Sequence, residues 1–183
     1  MSFGFAIPTS TGTLQVSLEP GASVIFVGAN GGGKTRLAVR IEETLGLKCQ
    51  RISAHRSLSL NPEVAKISEQ MALLGLRTGH AHASASLANR IGSRWGQKPA
   101  TKLLDDYDFL LQSLFAEQSN TSLKTHNSAR QGNFEAPAFT KFERLQAIWD
   151  RLLPHRKLHV SGDNIQVSAR ETDAKYSASD MSD

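Results

Sequence analysis

Residues 24–37 read VIFVGANGGGKTRL, four apolar side chains, then Gly28 to Thr35, then the opening of a helical pattern. Gly28, Gly33, Lys34 and Thr35 fit G-x-x-x-x-G-K-[ST] without a mismatch. Glycines bring backbone N–H groups close to phosphate oxygens with no Cβ in the way. A helix starting at the loop's end adds its N-terminal partial positive charge. Lys34 is placed to reach the β- and γ-phosphates, and the Thr35 hydroxyl is the expected Mg²⁺ ligand. The expected nucleotide-contacting residues are Gly28, Asn30, Gly31, Gly32, Gly33, Lys34, Thr35 and Arg36, with ATP and Mg²⁺ as ligands.

Working outward, the residues before the loop read as strands. Residues 3–8 are a short apolar start, and 10–12 (STG) form a turn. In TLQVSL, Leu14, Val16 and Leu18 share one face, as in a half-buried strand. The run Ser23–Val27 predicts a strand covered on both faces. After the loop, Leu37, Ile41 and Leu45 repeat every four residues, and Gly46 suits a C′ position. Residues 47–58 are expected to form a second core strand. Asn61-Pro62 is a helix start with Val64, Ile67, Met71 and Leu74 as its stripe.

Residues 77–100 are small, polar and basic with no sustained period, which predicts a mobile segment or surface insertion. Leu103, Tyr107, Leu110, Leu111, Leu114 and Phe115 then keep helical spacing, and Asp105 and Asp106 fall on that helix's solvated face. The helix breaks near Gly132. A further helix over about 138–153 carries Phe142, Leu145, Trp149 and Leu152 and stops at Pro154. Leu158/Val160 and Ile165/Val167 flank a Gly-Asp-Asn turn, a hairpin signal. The organisation expected is a strand-rich nucleotide-binding core (1–60), a helical insertion (61–154), and a hairpin returning to the core (155–183).

Composition excludes several classes. No apolar run approaches the roughly 20 residues of a membrane span, and residues 1–10 lack the basic and apolar regions of a signal peptide. One cysteine, Cys49, excludes an internal disulfide framework and suits a reducing cytoplasm. The net charge of +4 is too small to argue for nucleic-acid binding by itself.

The loop resembles the Walker A of ABC-type ATPases, which often reads G-x-N-G-x-G-K-[ST]; Asn30 and Gly31 carry that likeness. KYSASDMSD (175–183) resembles the start of the signature segment in the SMC/OLD-like branch of that family. RISAHRSL (51–58) and LLDDYDFLLQSLFAEQ (103–118) also look like AAA-type ABC ATPases of bacterial anti-phage defence, some paired with a Toprim-like nuclease. The resemblance implies an α/β P-loop NTPase fold: an ABC-ATPase-like N-terminal lobe, a mixed sheet around the Walker A helix, and a helical insertion. It implies a homodimer or larger homo-oligomer sandwiching ATP, with Ser182 the signature serine acting in trans. DNA and an effector nuclease subunit are the further partners it suggests.

Walker B, the catalytic glutamate and the switch histidine have no counterpart, so the sheet is expected to be incomplete and the chain a fragment with weak or no ATPase activity. A P-loop nucleotide kinase and a non-catalytic nucleotide-sensing assembly module are the alternatives. Lesser candidates are a metal clip at His80 and His82, phosphate contacts from Arg51, His55 and Arg56, and nucleic-acid contacts from Arg90, Arg94, Trp95 and Lys98. Phe3 or Phe5 could stack on adenine, though core packing is the better expectation.

Overall fold

The computed structural model describes residues 3–53, 64–134, 136–162, 164–170 and 174–177. The chain is mixed α/β, built from helices and two small antiparallel sheets. Strands β1 (Phe3–Thr9) and β2 (Gly12–Leu18) form a hairpin in which Phe5 faces Val16 and Ile7 faces Leu14. Phe5 is buried, whereas Leu14 stays exposed, so only part of the alternating face is covered.

Ser23–Val27 departs from the expected doubly covered strand. Among the described residues no strand pairs with it, and Ile25 is 84% and Val27 92% exposed. A strand sealed on both faces needs hydrogen-bonded neighbours on each side. Here β1 and β2 pair with each other, and Cys49–Ser53 is not a strand. The remainder of the second expected core strand, residues 54–58, lies outside the described residues, as does the Asn61-Pro62 helix start.

Helix α1 (Lys34–Leu45) follows the glycine loop as its spacing predicts, and it ends at Gly46. Leu37, Ile41 and Leu45 are half-buried, and the one residue α1 buries fully is Glu42. Helix α2 (Glu69–Thr78) begins later than expected. Residues 64–68 are not helical, and the Ser68 hydroxyl caps the helix by accepting from the Met71 N–H.

The segment expected to be mobile or a surface insertion is largely exposed, but four buried residues, Thr78, Arg90, Arg94 and Trp95, anchor it. A short helix α3 (Leu87–Asn89) runs into a π turn over Arg90–Arg94, and Trp95 is 1% exposed. Gly79 packs so closely that an added Cβ would sit 2.3 Å from the Arg94 amide nitrogen. The sequence pattern missed this because the segment is held by pairings distant in sequence rather than by an apolar period.

Helix α4 (Tyr107–Arg130) crosses α2 and ends at the Gly132 turn. Two expectations fail at its start. Leu104, not Leu103, enters the core, and Asp106 is buried at the N-cap position rather than solvated. Helix α5 (Lys141–Leu152) opens with a capping box, the Thr140 hydroxyl accepting from the Glu143 N–H while the Glu143 carboxylate accepts from the Thr140 N–H. Those hydrogen bonds hold the Glu143 carboxyl below its ordinary pKa. Phe142 on α5 meets Phe115 on α4, ring centroids 5.1 Å apart. Leu152, expected in that apolar stripe, is exposed.

The hairpin forms as expected, β3 (Arg156–Val160) pairing with β4 (Ile165–Ala169), and β5 (Lys175–Ser177) adds to β4. Leu158 and Val167 face each other across the pair, both buried, on the side packed against α5.

Candidate functional site at the glycine loop

The loop between Val27 and α1 takes its shape from its glycines. Gly31 and Gly33 have φ of 82° and 83°, a region costly for any residue with a Cβ. At Gly32 the limit is space: its amide donates to the Ala29 carbonyl at 3.1 Å, and an added Cβ would lie 3.0 Å from that oxygen. Gly33 caps α1 without a side chain, and the helix's first turn carries no acid. The first amides of α1 therefore have neither an intrahelical acceptor nor a local carboxylate.

Lys34 folds back over the loop. Its ammonium donates to the Gly28 and Ala29 carbonyl oxygens, at 2.6 and 2.8 Å. These are exposed contacts that a phosphate oxygen can replace, since the loop carbonyls can turn to water instead. The loop opens on a cleft of about 520 Å³. One wall is apolar: Ile7 and Pro8 from β1, Phe26 and Val27 before the loop, and Leu37 on α1. The other is basic: Lys34, Arg36 and Arg40. Among the described residues no carboxylate lines it. This donor set fits a phosphate group with its metal: amides and an ammonium for the anion, and the exposed Thr35 hydroxyl for Mg²⁺.

Among the sequence-predicted residues, Gly28, Gly32, Gly33, Lys34 and Arg36 line that cleft. Asn30, Gly31 and Thr35 belong to the same exposed loop without lining it. Ser182, His55 and Arg56 lie outside the described residues. Sequence reasoning missed six further cleft residues, Ile7, Pro8, Phe26, Val27, Leu37 and Arg40. Arg40 had a usable signal, its place four residues after Arg36 on one helix face. Phe5 is buried with its ring edge-on to Phe26, centroids 6.5 Å apart, so it packs the core as expected.

The remaining basic residues gather elsewhere. Arg51 donates to Glu42 at 2.9 Å and to the Pro99 carbonyl at 2.7 Å, away from the cleft. Arg90 lies 3.4 Å from the same Glu42 and donates to the Arg77, Gly46 and Cys49 carbonyls. Arg94 pairs with Asp106 at 3.0 Å. The Arg51 guanidinium stacks 3.8 Å above the Trp95 ring, and Arg94 lies 5.0 Å from it. Arg90 and Arg94 are 5% and 4% exposed, which removes them and buried Trp95 from any nucleic-acid surface. Burial, and then Glu42, raise the Cys49 thiol pKa, which lowers its thiolate fraction. The His80 and His82 rings are 5.8 Å apart, but no group of three His, Cys, Asp or Glu among the described residues could hold a metal ion.

Comparison with protein-family models, curated proteins and solved structures found no match.

Proposed function

We propose that this chain is a nucleotide-binding module that holds ATP and Mg²⁺ at residues 28–36, as the N-terminal lobe of an ABC-type P-loop ATPase. One observation carries the reading: a Gly-Lys-Thr loop with two positive-φ glycines and an amide-rich helix start opens on a cleft lined, among the described residues, by cations and no carboxylate. In this role Lys34 exchanges its loop carbonyls for the terminal phosphates, the α1 amides hold the phosphate oxygens, and Thr35 holds the metal.

The same cleft argues against turnover by the chain alone. Orienting a water and holding the metal for hydrolysis calls for carboxylates, and among the described residues none lines the cleft. In the complete assembly of the ABC reading, a second copy supplies the signature serine in trans and hydrolysis drives DNA processing or an effector nuclease in the cytoplasm. No helix among the described residues is long and apolar enough to cross a membrane. The carboxylate-free cleft also favours a second reading, a module that senses nucleotide without consuming it.

Titration of the purified chain with a fluorescent ATP analogue and Mg²⁺ tests the proposal. Binding that Lys34→Ala reduces at least tenfold, with phosphate release at background in both proteins, is the expected outcome. Because Lys34 is exposed, its unfolding midpoint should stay within about 0.5 kcal/mol of wild type. Nucleotide affinity indifferent to Lys34 would end the reading.

A further inference from the structure

Arg40 stands out among the described arginines as a cation placed in a cleft without an anionic partner. Arg51, Arg90 and Arg94 are paired with Glu42 or Asp106, and Arg170 with Asp150. Arg36 and Arg40 are exposed, make no ion pair, and line the same cleft as Lys34. Four residues apart, they share a helix face and are offset by about 6 Å along the axis. Two like charges at that spacing repel, and the helix gains nothing from them locally. Arg40 is also beyond the first turn, where amides and the helix dipole act on an anion. A single phosphate held at the loop has no use for it.

We propose that Arg40, together with Arg36, forms a second anion subsite one turn along α1, so that the cleft takes a chain of at least three linked phosphates. The near end of the chain sits at the glycine loop and Lys34; the far end meets Arg36 and Arg40. This rests on the loop binding phosphate as proposed above. The chain could be inorganic polyphosphate or belong to a nucleoside polyphosphate. The wall of Ile7, Pro8 and Phe26 can contribute only to the second.

Calorimetric titration with orthophosphate, tripolyphosphate and ATP, for the wild type and for Arg40→Gln, Arg40→Lys and Lys34→Ala, tests this. At low salt Arg40→Gln should bind tripolyphosphate and ATP about fivefold more weakly, the worth of one exposed ion pair. That loss should shrink as salt is raised. Arg40→Lys should recover most of the affinity, and orthophosphate binding should not change. ATP binding more tightly than tripolyphosphate assigns the nucleoside source; equal affinities assign the inorganic one. Unchanged tripolyphosphate affinity in Arg40→Gln overturns the subsite, and so does an equal loss for orthophosphate. If Lys34→Ala binds all three ligands like wild type, the loop reading itself fails and the subsite with it, a result distinct from an Arg40 effect alone.

Discussion

Two groups of cations, Lys34–Arg36–Arg40 and Arg51–Arg90–Arg94, use the same side-chain chemistry to opposite ends. In the second group every guanidinium is at or near full burial, and Glu42 and Asp106 lie within 3.4 Å as counter-charges. Backbone carbonyls from three separate segments take up further N–H groups. In the first group no carboxylate among the described residues lines the cleft, and Lys34 donates to two loop carbonyls. What separates a structural cation from a functional one here is its partners, which composition does not reveal. A buried charge without partners costs several kcal/mol, so the second group is fixed in place. An exposed cation is hydrated and costs little to leave unpaired, so the first group is free to serve a ligand.

The strongest way to break this contrast is at Trp95, which carries the two stacked guanidinium groups. Trp95→Ala should lower unfolding free energy by about 3–5 kcal/mol, read from urea denaturation, because the cavity adds to the lost burial. A loss below 1 kcal/mol would mean that this segment is the surface insertion its composition suggests. Next comes Asp106→Ala, which removes the carboxylate paired with Arg94 and should cost about 3 kcal/mol in the same assay. Neither change touches the cleft, so residual folded protein should still bind nucleotide at the loop.

A smaller effect sharpens the comparison at a third basic patch. His159 donates to or accepts from Ser168 at 2.8 Å on the same face of its sheet as Lys157 and Lys175. Burial, then Lys175 and Lys157, push its pKa below the ordinary 6.5. The unfolded chain therefore takes up that proton first as pH falls. The stability contribution is complete above about pH 6.5 and declines as pH drops through the lower folded value. His159→Gln should flatten the pH dependence of the urea midpoint between pH 7.5 and 5.5. An unaltered slope would remove the patch from the pH response.

Where local signals decide an element, the sequence was enough to read it. The Ser10–Gly12 turn, the glycine loop, the four-residue spacing in α1 and the β3–β4 hairpin all act within a few residues. The residues of the proposed phosphate site were legible for the same reason, since the motif is contiguous. What escaped depends on distant partners. Asp106 looks solvated until Arg94 is brought to it, and Arg90 looks like a loop cation until Glu42 arrives from α1. Ser23–Val27 is the converse: its apolar run promised a covered strand, and among the described residues no strand covers it. The spacing from Arg36 offered Arg40 as a residue of the same helix face, but its place at the cleft came only with α1 and β1 brought together.

The two groups meet on one helix. Lys34 and Arg36 occupy the first turn of α1, against the open loop, while Glu42 in its last turns is clamped by Arg51 and Arg90. Backbone amides along that helix consequently sit on a gradient of opening free energy. The first turn can fray and re-form on its own, whereas freeing the last requires the buried charges to separate. Hydrogen exchange should therefore slow steadily from Leu37 toward Leu45. A ligand that orders the first turn would act on the fast end alone, extending protection toward an end that is already anchored.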